Sequence, residues 1–341
     1  MSRKTEFIYL SQEDVINTDV DMPKILNVIE EVLSLHERDK VILPSKVVLD
    51  LGERERGRIN AMPAYIGGNY EICGIKWIAG FPPNPGKYGI PRAHALIVLN
   101  DAEKGIPLAV MDGTYISAMR TGAVSGVGAK YLARPDSRIA GIIGCGVQAK
   151  TQIMAIKACV PSISILKCFD IRAETSNKLA RWVQRNLNIN CEVVKMPQGA
   201  VENSDIIITA TVADEPIVKY SWLKEGSLFI HVGSYQEEEE EVILKVDKVV
   251  VDIWHEVLHR GTPLLAKLYN EGKIDEQRVW ANIGEIITGK KAGRESETEK
   301  IYFSPLGLGS EDIGVAKFVF EEAKRKAIGQ KLKLWDNPIF S

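Results

Sequence analysis

The chain has 341 residues, enough for two domains with substantial cores. Its 43 basic and 45 acidic side chains leave a formal net charge of −2, which gives no electrostatic footprint for nucleic acid or a membrane surface. No apolar run reaches the length of a membrane span, and the opening MSRKTEFIYLSQED has no apolar stretch before a small-residue cleavage site, so a soluble cytoplasmic protein is expected.

The chain opens with a strand-like EFIYL. A helix follows whose apolar positions Ile25, Val28, Ile29, Val32 and Leu33 keep the 3.6 period, with Asp21 and Pro23 suited to its start. Strand-like stretches come next at 45–51, 58–62, 72–78, 93–99 and 108–111. Residues 115–132 read as one helix rich in small side chains, SAMRTGAVSGVGAKYLA, despite glycines that weaken its propensity. Small side chains permit close backbone packing, so this helix is a candidate hinge or spine between domains.

Residues 138–170 then carry the most specific local pattern. A short apolar run, 139–143, suits a parallel strand buried on both faces, and Gly144, Gly146 and Ala149 follow as GxGxxA. The first glycine permits a tight turn, the second lets backbone approach a pyrophosphate, and the small third residue lets the helix pack on its strand. The helix beginning at Val147 and Gln148 presents unpaired N–H groups to the phosphates. Asp170 closes the next strand, 163–169, where a carboxylate accepts hydrogen bonds from an adenosine ribose. Such a carboxylate repels a 2′-phosphate and favours NAD, while Arg172 two residues on leaves NADP open. The βα alternation continues with strands at 192–195, 205–211, 228–232 and 248–252, six in all, matching a doubly wound sheet of order 3-2-1-4-5-6.

Further on, helices are expected near 262–272, 281–288 and 311–328, the last returning to cover the β-rich half. The acidic run 237–241 reads as a solvated helix start. The fold class is thus α/β: a Rossmann doubly wound parallel sheet plus a β-rich α+β domain for substrate binding and dimerisation. The expected boundaries are 1–120 with 312–341 for the latter and 121–311 for the dinucleotide-binding domain.

Five cysteines (Cys73, Cys145, Cys159, Cys168 and Cys191) are odd in number and lack CxxC or Cys/His spacing, so neither a disulfide framework nor a zinc site is suggested. Cys145 reads as a small side chain that fits the glycine turn. Since a dinucleotide domain has no substrate specificity of its own, the other half must hold the reactant. Its cationic candidates are Lys46, Arg58, Lys76, Arg92 and Arg120. Lys76 sits in the mostly apolar ICGIKWIAGFP, where a lysine is costly unless it has a task or a partner. Arg120, in the small-residue helix, is placed to clamp a carboxylate bidentately. His94 reads as a hydrogen-bonded strand residue rather than an acid or base. The strand-end residues Thr209, Ala210 and Thr211, and Val232, Gly233 and Tyr235, lie where such folds bind ligands, and Thr121 completes the coenzyme-facing set.

With these residues in view, the sequence resembles the ornithine cyclodeaminase and mu-crystallin family, which also holds archaeal-type alanine dehydrogenases, ketimine reductases and an opine-cleaving dehydrogenase. The resemblance covers nearly the whole chain through NAMPAY (60–65), GIKW (74–77), ALIVLND (95–101), PLAVMDGTYISAMRTGA (107–123), GAKYLAR (128–134), IGCGVQA (143–149), IGEIITG (283–289) and GLGSEDIGVAK (307–317). It implies a homodimer formed through the N-terminal β domain and an active site between domains. By the same resemblance Lys76 is the active-site lysine, Arg120 the carboxylate-binding arginine and Lys46 a second carboxylate anchor. The implied chemistry is hydride transfer between an amino or imino carbon and a nicotinamide.

The sequence also departs from the family pattern. Tyr235 stands where cyclodeaminases and alanine dehydrogenases carry an aspartate, and a phenol of ordinary pKa near 10 is a poor acid for cyclodeamination. Asn60, just ahead of Met62–Pro63, replaces a charged side chain, so both Asn60 and Tyr235 are substrate-facing candidates. KWIAGFP, GIPRA and SPLG resemble the opine branch, whereas VMDGTYISAMRTGA and GCGVQA resemble the alanine dehydrogenase branch. The leading expectation is an NAD(P)-dependent oxidoreductase of amino acids, imines or N-substituted amino acids. Ornithine cyclodeaminase and a crystallin-like coenzyme-binding protein without turnover are the alternatives.

Overall fold

The computed structural model describes residues 4–52, 57–213, 215–233 and 235–339. The chain divides into two compact units, Met1–Arg120 with Leu308–Ser341, and Thr121–Gly307.

In chain order the first unit runs β1 (Thr5–Leu10), α1 (Gln12–Asn17), α2 (Met22–Glu37), β2 (Val41–Ile42), β3 (Val47–Asp50), β4 (Arg58–Ile66), β5 (Ile72–Gly80), α3 (Asn84–Lys87), β6 (Ala93–Asp101) and β7 (Pro107–Asp112). Helix α4 (Thr114–Leu132) begins in this unit and continues in the second. The second unit holds β8 (Ile139–Ile143), α5 (Val147–Cys159), β9 (Ile165–Phe169), α6 (Ala173–Leu187), β10 (Asn190–Val193), α7 (Pro197–Val201), β11 (Ile206–Thr209) and β12 (Leu228–His231). It goes on through α8 (Glu240–Lys245), β13 (Lys248–Val251), α9 (Trp254–Arg260), α10 (Leu264–Asn270), β14 (Val279–Asn282), α11 (Ile283–Ile287) and β15 (Ile301–Ser304). Helix α12 (Gly309–Lys326) and β16 (Gln330–Trp335) then rejoin the first unit, which takes residues 308–311 with it.

The first sheet has the order β16-β1-β7-β6-β5-β4-β2, with β3 also on β4; only β1 and β7 pair in parallel. Helices α2 and α12 cover one face of it. Helix α2 starts on Asp21, whose side chain accepts from the Lys24 amide, and buries Ile25, Val28, Ile29, Val32 and Leu33. Gly314 of α12 lets the two helices approach, since a Cβ there would lie 2.6 Å from Val32. Met62, Ala64, Ile66, Ile72, Lys76, Ala95, Ile97 and Leu99 form the buried face beneath them.

The second sheet is parallel throughout, in the order β10-β9-β8-β11-β12-β15-β13-β14. Numbered within this unit, that is 3-2-1-4-5-8-6-7, which corrects the expected 3-2-1-4-5-6. Strand β14 escaped notice because it runs directly into α11 through the Asn282–Glu285 capping box, at the helix expected near 281–288, and β15 because its place between β12 and β13 is set by distant pairing partners. The small residues of α4 serve packing within this unit. A Cβ on Gly122 would meet the Thr151 carbonyl of α5 at 2.4 Å, and one on Gly128 would meet the Phe303 ring of β15 at 2.3 Å.

Candidate functional site

In the first unit a buried charge cluster forms on the helix-covered face of the sheet. Lys76, paired across the strands with Met62 and Ile97, is 1% exposed. Its Nζ donates to Asp312 Oδ2 at 2.5 Å and to Ser117 Oγ at 3.2 Å. Arg120 donates through Nε to Asp312 Oδ1 at 3.1 Å and through Nη1 to Glu311 Oε2 at 2.8 Å. Both acids are fully buried in the first turn of α12, where the helix dipole favours negative charge. The Leu308 amide also donates to Glu311 Oε2 at 3.0 Å and fixes the helix entry.

Burial pushes the Lys76 amine down to about 8; Arg120 adds to the fall and Asp312 opposes it. Burial also works against the Arg120 charge, but Asp312 and Glu311 outweigh it and hold the guanidinium above its ordinary pKa. A guanidinium carries five N–H donors, so two carboxylate contacts do not exhaust it. Asn60 shares the Lys76 face, two residues from Met62, and its buried Oδ1 has no hydrogen-bond partner. Lys46 is half-buried just before β3, which pairs Val47 with Ala61. His36, pushed down to about 4 by burial, meets Ser310 Oγ at 2.7 Å one residue before Glu311.

Glu311 and Asp312 are the residues that sequence reasoning missed here. Their signal was present: two cations on a buried face require buried anions, and SED opens an apolar helix.

In the second unit the glycine turn follows β8. Gly144 has φ +92°, and a Cβ on it would collide with the Ala210 carbonyl at 2.6 Å. A Cβ on Gly146 would meet nothing within 4 Å, so the space before α5 is open to a pyrophosphate. That cradle, with the exposed Val147 at the helix start and buried Ala149 against the sheet, fits a dinucleotide. Asp170 Oδ2 accepts from the Cys145 amide and Oδ1 from the Arg172 amide, both at 2.9 Å, while the Arg172 side chain is exposed. Gln148 bonds within α5 to the Thr151 hydroxyl, and Gln152 Nε2 donates to the Thr121 carbonyl at 3.2 Å.

Thr209 and Thr211 flank Ala210 at the carboxyl end of β11, while Val232, Gly233 and the exposed Tyr235 follow β12; Ser234, inside the GSY motif, lies outside the described residues. The acidic run corrects the sequence reading: Glu237 and Glu238 are fully buried, and α8 begins only at Glu240. Thr211 donates to Glu237 Oε1 through its amide at 2.7 Å and through its hydroxyl. His231 meets Glu238 Oε2 at 2.6 Å, and Tyr302 donates to Glu238 Oε1 at 2.8 Å. No cluster of three or more metal-ligating His, Cys, Asp or Glu side chains occurs among the described residues, and no helix among them is long and apolar enough to cross a membrane.

The sequence profile of the ornithine cyclodeaminase/mu-crystallin family matches residues 6–327. The chain is 38% identical over 333 residues to the alanine dehydrogenase of Archaeoglobus fulgidus, across 97% of this chain and 99% of that protein. It is 35% identical over 336 residues to the N-((2S)-2-amino-2-carboxyethyl)-L-glutamate dehydrogenase of Staphylococcus aureus, with coverage of 97% and 99%. The solved structure of Thermococcus litoralis Delta(1)-pyrroline-2-carboxylate reductase in complex with NADH and L-proline is similar with a TM-score of 0.89 at 37% identity, covering 95% of this chain and 99% of that one.

Proposed function

The chain belongs to the ornithine cyclodeaminase/mu-crystallin family, and from that premise we propose an NAD-dependent oxidoreductase acting at the carbon–nitrogen bond of an amino acid, its imine or an N-substituted amino acid. The carrying observation is Lys76, a fully buried amine pushed down to about 8 beside Arg120. A bound dinucleotide supplies the hydride donor or acceptor. The residues to hold it are Gly144, Gly146 and the start of α5 for the pyrophosphate, and Asp170 for the adenosine ribose. The Asp170 carboxylate favours NAD over a coenzyme with a 2′-phosphate.

Lys76 handles the proton. As an ammonium it donates to the leaving amine or water; as a free amine it takes the proton back in the reverse direction. A pKa near the working pH serves both directions. Arg120 and Lys46 anchor the substrate carboxylate, and Asn60 Oδ1 accepts an N–H of the substrate. Asp312 and Glu311 keep the two buried cations oriented and neutralised. Tyr235 offers a phenol where cyclodeamination calls for a carboxylic acid, which favours dehydrogenation over the cyclodeaminase reading.

The test is a panel of alanine, proline, cyclic imines, N-carboxyalkyl amino acids and ornithine with NAD(H), followed at the reduced-nicotinamide absorbance. Coenzyme turnover with at least one of the first four classes is expected. Release of proline and ammonia from ornithine without net coenzyme reduction would overturn the proposal, and inactivity with every class would support a crystallin-like binding protein.

A further inference from the structure

Three strands of the second sheet end in polar residues that stand side by side. Thr209 of β11 pairs in register with His231 of β12, and Ser304 of β15 follows the Phe303–Ile230 pair at the next step. All three are at most 1% exposed, at the carboxyl edge of a parallel sheet. Above them the loop after β12 folds back: Glu238 takes the His231 Nδ1 contact at 2.6 Å, and Glu237 Oε2 lies 3.8 Å from His231 Nε2. Gly233 rests directly on the same carboxylate, since a Cβ there would lie 2.1 Å from Glu237 Oε2. The backbone ties this loop to the one after β11, with the Ile217 and Val218 amides donating to the Glu237 carbonyl at 2.9 and 3.1 Å and the Glu239 amide to the Val218 carbonyl at 3.0 Å. The hydrogen bonds of Thr211 to Glu237 make the second tie.

The charge balance of this cluster is uneven. With His231 protonated, two carboxylates face one cation and the buried sum is −1; with His231 neutral it is −2. Uncompensated buried charge is costly, so the loop conformation depends on the imidazolium. The groups facing His231 are Glu238 and Glu237 from the loop and the Tyr302 phenol from β15. Burial works against the imidazolium, but Glu238 and then Glu237 outweigh it and raise the imidazole to about 9. Burial likewise pushes the Tyr302 hydroxyl well above its ordinary value, so it stays a neutral donor to Glu238.

We propose that His231, Glu238 and Glu237 are positioning residues that hold the loops after β11 and β12 in the form that receives the coenzyme. The inference rests on the reading of Thr209–Thr211 and Val232–Gly233 as coenzyme-facing. The clamp acts through these loops and touches no reacting atom.

The experiment is NADH binding followed by fluorescence as a function of pH in the full-length protein, with His231→Gln, Glu238→Gln and the double variant. Wild type should bind evenly up to about pH 8 and lose affinity as pH rises through about 9. His231→Gln puts the cluster at −2 at every pH, so affinity should drop about tenfold at neutral pH and the alkaline limb should vanish. The double variant returns the sum to −1 and should recover to within about threefold of wild type, without the limb. If His231→Gln does not fold, Glu238→Gln still decides, because without that carboxylate the cluster never passes −1 and the limb near pH 9 must disappear. Folded His231→Gln with wild-type affinity and the limb intact overturns the clamp, as does a limb unmoved in Glu238→Gln. Wild type that binds NADH but turns over no amino or imino acid instead sinks the proposed reaction and leaves the clamp measurable.

Discussion

At the scale of single residues, Lys76 sets what the first unit can do. Taking an ammonium out of water costs several kcal/mol, and one carboxylate at 2.5 Å offsets that cost only in part while Arg120 stands close by. The result is an amine that changes charge near pH 8 rather than in the usual lysine range. If it is the proton donor of imine reduction, reductive turnover must fall as pH rises through about 8, and oxidative turnover, which needs the free amine, must rise over the same interval. Lys76→Ala should lower turnover by about 10²-fold or more with NADH affinity unchanged. Pre-steady-state rates across pH 6–10, beside a binding isotherm for the variant, check both halves. A flat profile or unimpaired variant removes Lys76 from the mechanism.

At the scale of elements, α4 shows packing overruling propensity. Replacing a helical glycine by alanine ordinarily gains about 1 kcal/mol. At Gly128, however, the new methyl would sit 2.3 Å from the Phe303 ring, and overpacking of a filled core costs about 1–3 kcal/mol. Gly128→Ala is therefore expected to be neutral to destabilising, and Gly128→Val clearly destabilising, by urea unfolding at equilibrium; a stabilised Gly128→Val would refute the close-packing account. The same contrast between local and distant control explains what the sequence made legible. The isoleucine-rich β8 and β11, the GxGxxA turn and α2 announce themselves through local pattern, and Lys76 and Arg120 stand out as cations in apolar surroundings. The insertion of β15 between β12 and β13 depends on pairing partners far along the chain, which no local run encodes. Glu237 and Glu238 looked solvated because five consecutive acids normally are; contacts with His231, Thr211 and Tyr302 make their burial tolerable. Glu311 and Asp312 became visible for the same reason, through the cations they meet.

At the scale of the whole molecule, the face of the first sheet opposite α2 and α12 carries apolar side chains that are exposed among the described residues. A sheet with one solvated face normally alternates apolar inward and polar outward. Here Val47, Ala61, Trp77 and Leu96 line up in register across β3, β4, β5 and β6, opposite in sense to the buried Met62, Lys76 and Ile97. Val47, Trp77 and Leu96 are 66, 46 and 49% exposed. The next row, Pro63, Ile75, Val98 and Val110, is apolar as well and ends at Tyr9. If two copies of this chain associate, as the family resemblance implies, this contiguous apolar surface is where they are expected to meet, and a shared face gives a closed two-fold arrangement. The row runs on from Leu96 to Asp112 of β7, which puts Trp77 at its centre, where an aromatic anchor contributes most. Trp77→Glu would bury a charge against the partner's apolar rows. It should convert a dimer into a folded monomer at micromolar concentration, read by sedimentation velocity, with thermal unfolding showing that the monomer keeps its fold. Lys331→Glu, on the edge strand β16 where the 70% exposed lysine pairs with Glu6 at 2.6 Å, should leave the dimer intact. A wild-type chain that sediments as a monomer, or a Trp77→Glu variant that remains dimeric, would show that this face is not where the copies meet.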